Sequence, residues 1–443
     1  MSTITRQAVK KRSILTRGLN IQGQLGIRSK LQNCEEFRPV DLLQDMNITH
    51  LVCDHSQNYA VINNKSLIFW GWPLCTKTTY KVLEIYHKLP SFMRLWQNYA
   101  PFFKAAIQEP VIEAEFSVDS IKSIDVGCGY VAVVDNKNKL YMWGDNYAGQ
   151  LGQNDNVHRD TPLIVQSLLD DAIIDVSCGF QHALALSADG TVFGIGKNDR
   201  YQCGEEKKLN DESGEITNSF GDPFPIRGFN PTMDKKEASH AGNEPIIQAK
   251  AGKFHSLFLS DRGRVYGLGS NIYGQLCQSN NILNKATHPT EIFLDGMKIK
   301  QIEVGNHHSM LLNDEGRLFV FGSNLVGQVT SKHSTGIVNY LHEISLPSDS
   351  KIERIKASNL RSCAFLENGE VWFWGGFFYR EKKRLVIDDF NLLNEEEGIP
   401  SDVKIADYHM GFGHDVVMTE ELDHPPINID SEYHNLEGEN AVV

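Results

Sequence analysis

The 443-residue chain contains no apolar run near the roughly 20 residues that a membrane helix needs, so no helical span is expected. It has no Cys-x-x-Cys pair. Its eight cysteines (34, 53, 75, 128, 178, 203, 277 and 363) are scattered, which fits reduced structural thiols better than a disulfide framework. No Gly-x-x-x-x-Gly-Lys-Ser/Thr phosphate loop, Gly-x-Ser-x-Gly elbow or His-Glu-x-x-His pair occurs. Neither catalysis nor a bound cofactor is therefore expected. Basic charge is short as well: 43 Lys and Arg face 56 Asp and Glu, for a net charge of −13. That balance speaks against a general nucleic-acid binder, which displaces counterions with clustered Lys and Arg.

What the chain does have is a phrase that returns. Trp143-Gly144-Asp-Asn-Tyr-Ala-Gly-Gln-Leu-Gly152 is its fullest form. Gly269–Leu276, Gly322–Gln328 and Gly18–Gly26 are near copies, and Gly196-Lys-Asn198 begins a fainter one. Gly71 and Gly375 keep only the opening aromatic-glycine step. The leading glycines are spaced by 53, 73, 52, 73, 53 and 53 residues, so the unit is about 53 with two inserts of 20. A second mark keeps the same phase. Fourteen residues before a leading glycine falls the end of a Gly-x-x-His step, at His182, His255 and His308, and the chain's last copy ends at His414. The same slot holds Gln57, Tyr130 and Arg361 in the remaining copies.

Between the marks each copy reads as two short strands around a turn. His182–Leu186, Ser-Ala-Asp-Gly190 and Thr191–Gly196 show this clearly, because Asp-Gly between β-formers is a hairpin signal. Upstream lies a further apolar run, such as Ile173–Val176, Ile299–Val304 or Ile352–Ile355. About four strands per unit make one blade of a β-propeller. The chain ends supply the closure. The last Gly-x-x-His is followed by Val416–Met418 and no glycine-led phrase, whereas the phrase at Gly18 is preceded only by Ser13–Thr16. Joined, they complete one blade, so six internal units and a composite give a seven-bladed all-β ring with no exposed seam.

This constellation resembles the regulator of chromosome condensation repeat family, whose units carry Gly-x-x-His and Trp-Gly-x-Asn-x-x-Gly-Gln-Leu-Gly in this order. The resemblance covers residues 13 to 420 apart from the inserts. It implies a seven-bladed propeller in which Gly18, Gly71, Gly144, Gly196, Gly269, Gly322 and Gly375 are architectural, with the Gly-Gln-Leu-Gly tract where blades meet. It also implies one line of function, because the family's founding members are guanine-nucleotide exchange factors for a small GTPase. Such a protein would press a projecting wedge and acidic or polar loops against the nucleotide's phosphate and magnesium site.

Four histidines in one slot invite a metal-site reading. Yet the slot also accepts Gln, Tyr and Arg, which share hydrogen-bonding capacity and not metal affinity, so His182, His255, His308 and His414 are read as structural, with no metal. The inserts are the individual part of the chain. The first, about 75–118, carries Tyr86, Phe92, Arg94, Trp96, Tyr99, Phe102 and Phe103, with helical spacing broken by Pro90 and Pro101. It reads as two short helices that either pack on their own blade or dock a partner; Arg94 and Trp96 are the first candidates as anchors. The second, about 205–244, mixes Glu, Lys, Asn and Ser and reads as a solvated loop.

The tails differ in sign. Residues 1–34 hold seven Lys or Arg and no acid, whereas 420–443 hold seven acids and no Lys or Arg. One expectation is mutual attraction at the closing blade. Another is a very short mitochondrial presequence over residues 1–12, with Arg6, Lys10, Lys11, Arg12 and Arg17 in acid-free sequence. The domain reading is a basic extension over 1–12, one propeller over 13–420 and an acidic tail over 421–443. The function expected is a non-catalytic interaction scaffold or accessory subunit of a larger assembly, with the mitochondrion as the first location and the cytoplasm or nucleus as the alternatives. Exchange on a small GTPase is the alternative.

Overall fold

A computed structural model describes residues 12–20, 23–27, 33–44, 46–54, 57–71, 107–115, 121–204, 219–229, 244–278, 284–330, 336–379, 384–411 and 413–422. Among these, twenty-eight strands form seven four-stranded antiparallel sheets. Blade 1 joins both chain ends, in the order β2 (Asn33–Pro39), β1 (Arg12–Leu19), β28 (His414–Glu421) and β27 (Val403–Met410). Blade 2 contains β3 (Ile48–Asp54), β4 (Gln57–Ile62), β5 (Ser66–Gly71) and β6 (Ile107–Glu115). Blade 3 contains β7 (Ile121–Gly127), β8 (Tyr130–Asp135), β9 (Leu140–Gly144) and β10 (Arg159–Ile164). Blade 4 contains β11 (Ile173–Cys178), β12 (His182–Ser187), β13 (Val192–Lys197) and β14 (Ser219–Pro225). Blade 5 contains β15 (Ile246–Ala251), β16 (His255–Ser260), β17 (Val265–Ser270) and β18 (Lys285–Glu291). Blade 6 contains β19 (Ile299–Val304), β20 (His308–Asn313), β21 (Leu318–Ser323) and β22 (Ile337–Ile344). Blade 7 contains β23 (Ile352–Ser358), β24 (Arg361–Leu366), β25 (Val371–Tyr379) and β26 (Arg384–Leu392).

The expected closure is present. β1 pairs β28 in continuous register from Arg12↔Glu420 to Gly18↔His414. Arg12 also reaches the Glu420 carboxylate at 2.7 Å, one pair of opposite charges at the closing blade.

The core lies between blades. Second strands are buried on both faces, as in β12, β16, β20 and β24, and each carries an apolar run of three or four residues behind a buried polar start. Where the residue before a leading glycine is aromatic, it wedges its blade into the preceding one. Trp143 packs with Tyr59, Val61 and Phe69 of blade 2, and Trp374 with Met310, Val320 and Val338 of blade 6. The glycine after it is required by backbone approach. Gly322 has φ +114°, and a Cβ there would lie 2.5 Å from the His307 carbonyl oxygen.

Both inserts differ from their sequence reading. β6 occupies the end of the 75–118 segment and serves as the outer strand of blade 2, pairing β5 from Ser66↔Glu115 to Gly71↔Ile107. Residues 72–106, with all seven aromatic and arginine candidates from Tyr86 to Phe103, lie outside the described residues. β14 likewise runs through the 205–244 segment, and Phe229 beyond it is fully buried against Phe258 (4.7 Å) and Tyr266 (5.5 Å). The solvated-loop reading fails over 219–229 because Phe220, Phe224, Ile226 and Phe229 break the polar pattern. Residues 205–218 and 230–243 lie outside the description.

Blade 7 departs from the repeat in another way. β25 continues past Gly375 and pairs β26 as far as Tyr379↔Arg384, making a hairpin where other copies fold a loop. The cause is the lost asparagine. In the fuller copies the asparagine amide oxygen accepts from the backbone N–H five residues on: Asn146 from Leu151 (2.9 Å), Asn198 from Cys203 (2.8 Å), Asn271 from Leu276 (2.9 Å) and Asn324 from Val329 (3.0 Å). Without that acceptor the chain after Gly375 stays in the ladder.

Candidate functional site

The strand directions divide the ring into two faces. Turns from first to second strand and loops from third to fourth strand share one, here called the loop face. Hairpin turns and blade-to-blade connections share the other, the hairpin face.

At the loop face the repeated histidines join neighbouring blades. His182 Nε2 lies 3.2 Å from Ser256 Oγ, His255 Nε2 lies 3.1 Å from Ser309 Oγ, and His308 Nε2 lies 3.0 Å from Ser362 Oγ. Each serine hydroxyl donates back to a carbonyl of the histidine's own blade, at Gln202, Gln275 and Gln328, over 2.7–2.9 Å. The serine proton is thus used, and each histidine donates from Nε2. At the closure His414 Nε2 meets Asn58 Oδ1 at 2.7 Å, while Asn58 donates to the Gln24 carbonyl. The composite blade reproduces the pattern with a histidine from one chain end and a glutamine from the other.

Burial keeps the rings of His182, His255 and His308 neutral. It lowers His182 and His308 to about 3 from 6.5, and His255 well below that value. The glycine of Gly-x-x-His makes room for the ring: a Cβ at Gly179 would lie 2.4 Å from His182 Cε1 and 2.4 Å from the Gly252 carbonyl oxygen. Other occupants of the slot do equivalent work. Tyr130 donates to the Gly179 and His182 carbonyls, and Arg361 to those of Gly411 and His414. Each of the four histidines thus meets a polar side chain of the next blade through Nε2. Among the described residues, no group of three or more His, Cys, Asp or Glu is placed to hold a metal ion.

First strands line a central channel holding a cavity of about 300 Å³. Two residues before each Gly-x-x-His glycine, or its counterpart, stand Val52, Asp125, Ser177, Lys250, Glu303, Lys356 and His409. The charges are matched within the ring. Lys250 pairs Glu303 at 3.1 Å, and Lys356 pairs Asp407 at 2.6 Å. Burial pushes the Asp125 carboxyl up to about 6. It pushes Asp407 up too, but Lys356, His409 and Arg354 outweigh it and hold that carboxyl well below the usual range. With its charges so paired, the channel reads as structural.

The loop face is different. Tyr147, Ile272 and Leu325 follow the asparagine of their copies and are 56%, 48% and 60% exposed. Inside them, the two variable positions of Gly-x-x-His build a half-buried row across blades 4, 5 and 6. Phe180 lies 6.3 Å from Phe254, Phe254 lies 6.1 Å from His307, and His307 lies 4.8 Å from Tyr273. Lys253 Nζ sits 4.9 Å from the Phe180 ring and 5.6 Å from Phe254. This row is not marked in the sequence by any recurring residue. The signal lay in the positions between the recurring ones, which differ from copy to copy.

Fold and face together define a seven-bladed β-propeller closed by strands from both chain ends, with loops gathered on one side. The chain belongs to the RCC1-like domain family, which matches residues 13–385. It is 33% identical over 209 residues to the human "Probable E3 ubiquitin-protein ligase HERC6", covering 46% of this chain and 18% of that protein. The chain spans less than half the length of such curated relatives. Among solved structures it is similar to human WBSCR16, with TM-score 0.70 and 17% identity over 93% of this chain and 99% of that one. It is also similar to Prp20p of Saccharomyces cerevisiae, with TM-score 0.71 and 18% identity over 94% and 93%. At these identities the two structures show the fold alone.

Proposed function

We propose that this propeller is a non-catalytic docking subunit that holds a partner protein on its loop face. One observation carries the reading: large apolar residues are exposed at the same repeat position in blades 3, 5 and 6, all on one face. Single exposed apolar residues are ordinary, but a recurring position that tolerates Tyr147, Ile272 and Leu325 in solvent gains from being covered. The test is capture of partners by the full chain and by a Tyr147→Ser, Ile272→Ser, Leu325→Ser variant. Phe293→Ser is the control, because Phe293 is 82% exposed on the hairpin face. Loss of the captured partner only in the loop-face variant is expected. Equal capture by all three proteins overturns the reading.

Exchange on a small GTPase is the second reading, supported by the likeness to Prp20p, a protein described with its binding properties to Gsp1p and histones. Faster nucleotide release from a GTPase panel by stoichiometric protein supports it, and unchanged release across the panel removes it. For location we propose the mitochondrion, from the basic, acid-free composition of residues 1–12. Arg12 and Arg17 have partners inside the ring, so that placement rests on Arg6, Lys10 and Lys11. Import of the full chain into isolated mitochondria tests it, and protease sensitivity throughout excludes it.

A further inference from the structure

The loop face is not uniform in charge. Among the described residues of blades 4, 5 and 6 on this face, the cations are Lys197, Arg200, Lys253 and Lys285, and the acid is Asp199. Asp199 is matched by Lys197 at 3.5 Å. Lys285 stands 4.4 Å over the Tyr201 ring, and the loop carrying Tyr201 packs on blade 5, where a Gly269 Cβ would meet Gln202 Cα at 3.1 Å. Arg200 and Lys253 form no ion pair among the described residues. In a chain of net charge −13, a cationic surface next to four π-faced side chains stands apart.

We propose that this patch, where blades 4 to 6 meet, docks an acidic segment of a partner protein that also carries aromatic side chains. The inference rests on the docking reading above and names the partner's chemistry. Lys253 is held over Phe180 and Phe254, so its ammonium is positioned before a partner arrives and loses little freedom on binding. A carboxylate takes the open side of that ammonium and a second one takes Arg200. The row of Phe180, Phe254, His307 and Tyr273 offers ring faces and edges to an incoming aromatic side chain, and Ile272 and Leu325 flank it. His307 lies near 4, lowered by burial and by Lys253, so it is a neutral ring in this row at physiological pH. Single-stranded nucleic acid also uses cations beside aromatic rings. The acidic protein segment is favoured because the chain's overall charge repels a polyanion, whereas a short segment meets only the local patch.

The probes are a fluorescein-labelled peptide of alternating Asp and Phe, its Lys-for-Asp counterpart, and single-stranded oligouridine, each titrated against the full chain at physiological salt. The Asp-Phe peptide is expected to bind, and Lys253→Glu with Arg200→Glu to weaken it by about tenfold or more with the unfolding midpoint unchanged. Absence of binding, equal affinity in the double variant, preference for the Lys peptide, or tighter binding of oligouridine each overturns the proposal. The partner captured in the loop-face experiment separates the two readings. If it survives Lys253→Glu with Arg200→Glu but is lost in the Ile272→Ser, Leu325→Ser background, docking stands and the acidic-segment inference falls. If neither change releases it, both fall.

Discussion

The seams between blades 4 and 5, 5 and 6, and 6 and 7 are neutral, whereas the seam between blades 7 and 1 is charged at the same slot. In the neutral seams a buried histidine meets the residue after the next blade's slot, Ser256, Ser309 or Ser362. At the charged seam Arg361 replaces histidine and Asp415 replaces serine, at 2.6 Å. Arg17 of the N-terminal strand joins from the other side, 3.0 Å from Asp415 and 2.5 Å from Glu396, with its guanidinium 4.5 Å over the Phe37 ring. Burial pushes Asp415 up, but Arg361 and Arg17 outweigh it and hold it ionised. The contrast has a physical reason. Covalent continuity holds the inner blades in place, so a neutral relay need only set their spacing. Blade 1 is assembled from two chain ends, and the closing contact must make up for a larger loss of chain freedom.

The strongest way to break this comparison is Asp415→Asn. It leaves two arginines buried around a neutral amide, and removing one partner of such a group costs about 3–5 kcal/mol. Denaturant unfolding should show that loss. A cost below about 1 kcal/mol would mean that strand pairing alone closes the ring. Arg361→His with Asp415→Ser then copies a neutral seam into the closure. It should recover part of the loss, with Arg17 resting on Glu396.

A smaller effect is expected inside the ring. His308→Ala opens a cavity and leaves Ser362 with only the Gln328 carbonyl, for about 2–3 kcal/mol. His308→Gln should cost less, near 1 kcal/mol, because Gln57 fills this slot in blade 2. If Gln costs as much as Ala, the relay is specific to imidazole and the equivalence of slot residues fails.

Acid should distinguish the seams further. His182 and His308 take up protons near 6.5 when unfolded but only at about 3 when folded. The unfolded chain therefore binds more protons across that window. The stability these groups contribute is full above 6.5 and is lost as pH falls toward 3, at about 1.4 kcal/mol per pH unit for each histidine. Asp125 runs the other way: its folded value is raised to about 6 from 3.8, so stability falls as pH rises through that interval. His182→Gln should flatten the acid limb by one proton, and Asp125→Asn should steepen it. An unchanged slope in both would remove these groups from the pH response.

Much of this ring was legible because its repeat is printed twice, once by the glycine-led phrase and once by Gly-x-x-His. Residues bearing those marks make backbone-dictated contacts: Gly179 under His182, Asn146 bonding Leu151, Ser13–Thr16 against Val416–Met418. Such contacts depend on local spacing, which a sequence displays. The Arg361–Asp415–Arg17 cluster was not legible, because Arg17 lies 398 residues from Asp415 and only closure brings it to the Arg361–Asp415 pair. The loop-face patch was missed for another reason. Phe180, Lys253, Phe254 and His307 are scattered in sequence and become neighbours only when three blades stand side by side.

The smallest effect is expected at the solvent edge of the closure. Arg12 pairs Glu420 at 2.7 Å, with side chains 28% and 12% exposed, and also donates to the Ile48 carbonyl. Solvent screens this pair, so Arg12→Ala should cost no more than about 1 kcal/mol. Added salt should shrink that cost, while leaving the Asp415→Asn deficit nearly unchanged because the inner cluster is shielded from ions. Equal salt sensitivity of the two variants, measured by denaturant unfolding, would show that water reaches Asp415 and that the closing seam is not a buried charge cluster. A deficit in Arg12→Ala matching that of Asp415→Asn would instead place the closure in the β1–β28 ladder, whose register begins at Arg12↔Glu420.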